Sequence, residues 1–103
     1  MINLDRSKKL HSQITEDTWC RNGTMFQKDE NGKIVKACLL GYCQLYYGPS
    51  FWFEADNDAE SRIRTYLKNK FPANWELEGG IAAMSDNVLK FSDLTEMLKE
   101  LDI

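Results

Sequence analysis

Residues 36–48, KACLLGYCQLYYG, are the most apolar run of the chain, and no other stretch limits the fold as much. Wound as a helix, the run places Ala37, Leu40 and Gly41 near one another, and Cys38, Tyr42 and Leu45 likewise. Apolar residues then surround the helix, so it must lie inside the protein with other elements packed round it. Gly48-Pro49 ends it, because glycine accepts a left-handed cap and proline cannot continue a helix.

The covering elements are read from the rest of the chain. Residues 5–17 predict a short helix with Leu10 and Ile14 one turn apart. Asn22-Gly23 and Asn31-Gly32 are turn dipeptides. Met25, Phe26, Ile34 and Val35 flank DENGK, which predicts a hairpin of two short strands. Asn57 and Glu60 have the residue types of a capping box before ESRIRTYLKNKF, where Ile63 and Leu67, with Tyr66 or Phe71, make the apolar stripe. Pro72 is expected to stop that helix. WELEGGIAAMSDN shows no clean period. Ser92 is expected to cap a last helix, in which Leu94, Met97, Leu98 and Leu101 repeat at helical spacing. The fold class is therefore α+β: a helix-rich single domain over residues 1–103 with one small β-hairpin.

Charge narrows the partners. Thirteen basic and 16 acidic residues leave a net charge of −3, which supplies no counterion-release footprint for nucleic acid. Arg62, Arg64, Lys68 and Lys70 are the only basic cluster, and on a helix they read as a solvated stripe. No stretch reaches the roughly 20 apolar residues that span a bilayer. MINLDRSKKLHSQ lacks the apolar core of a signal peptide. Three sparse cysteines, Cys20, Cys38 and Cys43, do not resemble a secreted disulfide framework, so a cytoplasmic location is expected.

For chemistry, the cysteines and His11 could make a zinc site in composition. The five-residue step from Cys38 to Cys43 and the absence of a C-x2-C knuckle argue against it. A cysteine nucleophile needs a thiolate near a helix N-terminus or a cation, with a base beside it. Cys38 at the start of the predicted helix, His11 as base and Asp86 as orienter are the residues available for a hydrolase or transferase. The competing reading is that Cys38, within Ala-Cys-Leu-Leu, is core filling, since unreactive cysteines are among the most buried residues. No phosphate loop, dinucleotide fingerprint, serine elbow or zinc-protease motif occurs, and no cofactor is expected.

The densest aromatic cluster is Tyr46, Tyr47, Phe51, Trp52 and Phe53, followed by Glu54 and Asp56. One helix end cannot bury so many rings, and exposed Trp and Tyr anchor protein interfaces at small entropic cost. The acidic residues Glu54, Asp56, Asp58 and Glu60 lead into a helix N-terminus, where negative charge is favourable on its own account. The segment 46–56 is the candidate surface for a protein partner.

Three fragments together resemble a small domain family of unknown function found in phages and actinobacteria. They are Trp19 with the turn after it, Cys38-Leu-Leu-Gly41-Tyr42, and Met84-Ser85-Asp86 before the closing helix. Family members show a Trp, a C-A-x-G-A helix start, a W-N-D triplet and an amphipathic last helix, and the resemblance spans residues 10–101. This chain has Tyr42 where the family favours Ala, and Met84-Ser85 in place of Trp-Asn. The resemblance implies that Cys38, Gly41 and Asp86 are structural or site residues, and that the chain comes from a phage or other mobile element. It implies no activity. A non-enzymatic protein-binding domain acting on a host protein such as a defence factor is the leading expectation, with the Cys38 enzyme as its rival. Gly41 reads as a point of close approach between elements, Asp86 as the organiser of a turn, and Trp19 as a core anchor.

Overall fold

The computed structural model describes residues 2–21, 25–48 and 59–103. Among them lie five α-helices and a two-stranded antiparallel sheet, the helix-rich α+β arrangement that the sequence predicts. The apolar run supplies α1, Leu39–Tyr47, with Cys38 as its N-cap. Its consecutive residues Leu39 to Cys43 are all buried, which makes this the central helix. Gly48 closes it at φ 96° and ψ 173°, a region open to glycine but not the left-handed helical one.

The hairpin pairs β1, Phe26–Lys28, with β2, Ile34–Ala37. Its tip is built by Asp29, whose carboxylate accepts the Asn31 and Lys33 N–H groups, and by Gly32 at φ 78°. Phe26 faces Ala37 and Gln27 faces Lys36, but Lys28 faces Ile34, so Val35 is bulged out. The outer edge of β2 is not bare. Ile2 donates its N–H to the Ile34 carbonyl, and Trp19 pairs with Ala37 in a parallel bridge.

Ala59–Lys70 is α2, burying Ala59, Ile63 and Leu67 as the stripe requires. α2 stops at Lys70, ahead of Pro72 as expected, but Pro72 also opens a new helix. It occupies the first turn of α3, Pro72–Glu78, where its missing N–H costs nothing. Gly79, in the left-handed region, ends α3, and α4 follows over Ile81–Asn87. The last helix, α5, spans Phe91–Glu100. Its cap lies two residues earlier than Ser92: the Asp93 carboxylate accepts the Lys90 N–H at 2.9 Å. Leu94, Met97 and Leu98 are fully buried, and Leu101 is half-buried.

The helix expected over residues 5–17 is instead two 3-10 turns, Leu10–Ser12 and Glu16–Thr18. Polar side chains here take the backbone groups a helix would need. Gln13 caps Asp5 through both amide atoms, and Ser12 donates to the Lys9 carbonyl. Leu10 and Ile14 still enter the core. The segment is tied down by Tyr46, whose hydroxyl donates to the Lys8 carbonyl at 2.6 Å, and by the chain end, whose Ile103 carbonyl accepts the His11 N–H. Buried residues of the first 3-10 turn, β2, α1, α2, α4 and α5 join one hydrophobic cluster. The half-buried Phe26 of β1 and Trp75 of α3 pack against it, and α4 lies on both α1 and α2. Among the described residues, no helix is long and apolar enough to cross a membrane.

Candidate functional site

The three fragments singled out in the sequence meet in space. Trp19, on the segment leaving the second 3-10 turn, pairs with Ala37, and Cys20 donates its N–H to the Ala37 carbonyl at 3.1 Å. Arg21 lies with its guanidinium over the Trp19 ring, 5.6 Å from the centroid, and its Nε donates to the Ser85 carbonyl at 3.3 Å. Asp86, beside Ser85 on α4, acts electrostatically on both Cys20 and Cys38. Phe91 also packs against Trp19, with centroids 5.9 Å apart and the rings tilted by 46°. Trp19 is thus the core anchor its position suggested.

Gly41 is a point of close approach. A Cβ there would stand 2.5 Å from the Met25 carbonyl oxygen and 3.0 Å from the Phe26 ring, so β1 can lie against α1 only where the side chain is missing. That same Met25 oxygen accepts the Cys38 N–H at 3.0 Å, and the Cys38 Sγ accepts the Gly41 N–H at 3.5 Å. Cys38 and Gly41 therefore work as one joint between hairpin and helix.

The electrostatics keep the thiols neutral. Burial pushes the Cys38 thiol up; the Gly41 and Leu40 N–H groups pull it down, and Asp86 adds to the rise. The net direction is upward, so desolvation outweighs the helix dipole that would have favoured a thiolate. Burial likewise raises Cys20, reinforced by Cys38 and Asp86 against Lys36, and raises Cys43 well above the thiol range. His11 stands on the first 3-10 turn, against the chain end, and is not among the groups acting on Cys38. Asp86 lies within α4 and not at a turn, which corrects the role expected of it. The cluster binds elements together: Tyr42, fully buried, hydrogen-bonds through its hydroxyl to the Thr18 side chain and carbonyl. Two buried atoms in it, Trp19 Nε1 and Ser85 Oγ, find no hydrogen-bond partner among the described residues.

Cys20 and Arg21 had no motif of their own. Their only signal in the sequence was adjacency to Trp19, and the fold alone brings them to Cys38 and Ser85.

Of the aromatic–acidic segment, Tyr46 and Tyr47 are described. Both are half-buried, stacked edge to face with centroids 4.9 Å apart, and Tyr46 is engaged in holding the N-terminal segment. Phe51, Trp52, Phe53, Glu54 and Asp56, with the capping residues Asn57 and Asp58, lie outside the described residues. The basic cluster on α2 is partly spent within the chain: Arg64 pairs with Glu60, and Arg62 donates to the Leu101 carbonyl.

A second feature was not foreseen. Between α2 and the α3–α4 corner lies an open concavity of about 330 Å³, with Leu40, Trp75, Ile81 and Ala82 as apolar lining and the Glu60–Arg64 pair among its walls. It was hidden because both short helices lie where no periodicity could be read. On the far side of α3, Leu77 is 83% exposed, the one large hydrophobic so exposed among the described residues. Comparison with protein-family models, curated proteins and solved structures finds no match.

Proposed function

We propose that this chain is a small protein-binding domain without catalytic chemistry of its own. One observation carries the reading: the apolar concavity bordered by Leu40, Trp75, Ile81 and Ala82, with one ion pair to orient what enters it. Concave, mainly apolar sites with a few fixed polar groups are the usual form of a recognition site. A half-buried Trp is a favoured anchor for such contacts. The aromatic segment from Tyr46 to Phe53 supports the same reading by its composition, which suits a protein interface. The resemblance of the Trp19, Cys38–Tyr42 and Met84–Asp86 fragments supports a phage or mobile-element origin and a host protein, such as a defence factor, as the target. The rival reading of Cys38 as a nucleophile requires a thiolate, and burial keeps that thiol protonated at neutral pH.

The test compares capture of host protein by the wild type, by Ala82→Arg, and by Trp52→Ala with Phe53→Ala. Ala82 is exposed and lines the concavity, so arginine there fills it without disturbing the core. The expected result is one specific partner, lost with Ala82→Arg while circular dichroism is unchanged. Undiminished capture by Ala82→Arg would remove the concavity from the binding surface. Capture of nothing specific by the wild type would end the binding reading.

A further inference from the structure

The parallel bridge between Trp19 and Ala37 has a consequence for the residues that follow each of them. Cys20 and Cys38 stand side by side one step along, on the face opposite Trp19 and Ala37, because side chains alternate along extended chain. Cys38 is extended, at φ −77° and ψ 178°, and the Cys20 N–H to Ala37 carbonyl bond fixes the spacing. Neighbouring strands lie roughly 4.8 Å apart, inside the Cα separation of about 4.4–6.8 Å that a disulfide spans. Neither cysteine is in a disulfide, both are buried, and Cys38 is close enough to act electrostatically on Cys20. Cys43 is also close to Cys38 but lies five residues along α1. That is a rise of about 7.5 Å, beyond the ~7 Å at which two Cα atoms can still be bridged.

We propose that Cys20 and Cys38 are a modification site, a thiol pair that closes to an intramolecular disulfide when oxidised by a hydroperoxide. One sulfur, as its thiolate, attacks a peroxide oxygen. The O–O bond breaks, leaving a sulfenic acid and, after proton transfer, water. The second sulfur then attacks the sulfenyl sulfur, the S–O bond breaks, and a second water leaves with the remaining thiol proton. Two thiols and one hydrogen peroxide thus become one disulfide and two waters, and a dithiol reductant reverses the change. The bond would clamp the Trp19–Arg21 segment to the N-cap of α1 and close the loop that carries the hairpin. Burial of both thiols makes the first step slow at neutral pH and faster as pH rises. A bridge from Cys38 to Cys43 is excluded by the rise between them along α1.

The experiment oxidises the full chain with hydrogen peroxide and reads it by thiol titration and non-reducing peptide mapping. In the wild type and in Cys43→Ala, a Cys20–Cys38 linked peptide should form in the monomer and disappear with dithiothreitol. Cys20→Ser should form no intrachain link. Cys20 caps no helix, so this variant keeps the test independent of any folding cost at Cys38. A link through Cys43, a bond between two chains, sulfinic acid without a link, or three persisting thiols would each overturn the proposal.

Discussion

Helix α1 borders two regions that differ in almost every physical respect. At its N-terminal end, Cys38 and Gly41 are sealed among Trp19, Cys20, Met25 and Asp86, where a single methyl group would collide with backbone. Leu40, on the same helix, looks instead into the open concavity lined by Trp75, Ile81 and Ala82. The first region holds the residues that chemistry could use, yet burial favours the neutral form of its thiols, and two polar atoms have no partner among the described residues. The second holds no reactive group, yet it is accessible. Residue type points to one and exposure to the other. Exposure decides which can meet a protein partner, whereas the closed region joins the hairpin to the helix.

The comparison breaks most sharply at Gly41. Alanine would gain about 1 kcal/mol of helix propensity, yet its Cβ meets the Met25 oxygen at 2.5 Å. That oxygen cannot swing aside, because it holds the Cys38 N–H. Overpacking of this kind costs about 1–3 kcal/mol, and more where backbone must move. Gly41→Ala should lower stability by about 2 kcal/mol, with a fall in Tm of roughly 10 °C. An unchanged Tm would mean that the joint between β1 and α1 is not tightly packed. Ala82→Arg in the open region should leave Tm within a few degrees.

Alkali offers a gentler probe of the closed region. Unfolded thiols ionise near 9.0, whereas burial raises Cys20, Cys38 and Cys43 in the folded chain. Below that pH both states keep the proton, and the stability from burying neutral thiols is fully present. Above it the unfolded state releases protons that the folded state retains, so stability declines until the folded thiols ionise. Tyr42, raised by burial from 10.0, has the same sign and acts slightly higher. Urea midpoints should fall between pH 8 and pH 10, and fall less in Cys43→Ala. A midpoint that rose over this range would contradict the burial of the thiols.

What could be read from sequence follows the same division. Continuous apolar character revealed α1, the Asn-Gly dipeptide revealed the hairpin, and a sustained period revealed α5. Gly41 was legible because a glycine within a buried helix has a steric reason. α3 and α4 were not legible, since neither seven-residue helix completes two full turns and Pro72 reads equally as an end or a beginning. The N-terminal segment misled because Leu10 and Ile14 keep helical spacing while Gln13 and Ser12 compete for its backbone. Trp19, Cys38 and Asp86 were each marked as single residues. Their meeting depends on Cys20 and Arg21, which only the parallel bridge brings into place.

The smallest expected effect belongs to Leu77, and it sharpens the open side of the comparison. Its side chain projects from α3 away from Trp75 and Gly79, so no core contact is lost when it is replaced. Glutamine matches leucine closely in helix propensity, and it puts an amide where an alkyl group met water. Leu77→Gln should therefore change stability by less than about 0.5 kcal/mol, measured by the same urea titration. A loss above about 1 kcal/mol would show that Leu77 is covered by another part of the chain. With stability unchanged, its effect on partner capture separates two surfaces. Capture lost with Ala82→Arg but kept with Leu77→Gln confines recognition to the concavity, and capture lost with both extends it round α3. Loss with Leu77→Gln alone would move the contact to the outer face of that helix, leaving the concavity without a role in binding.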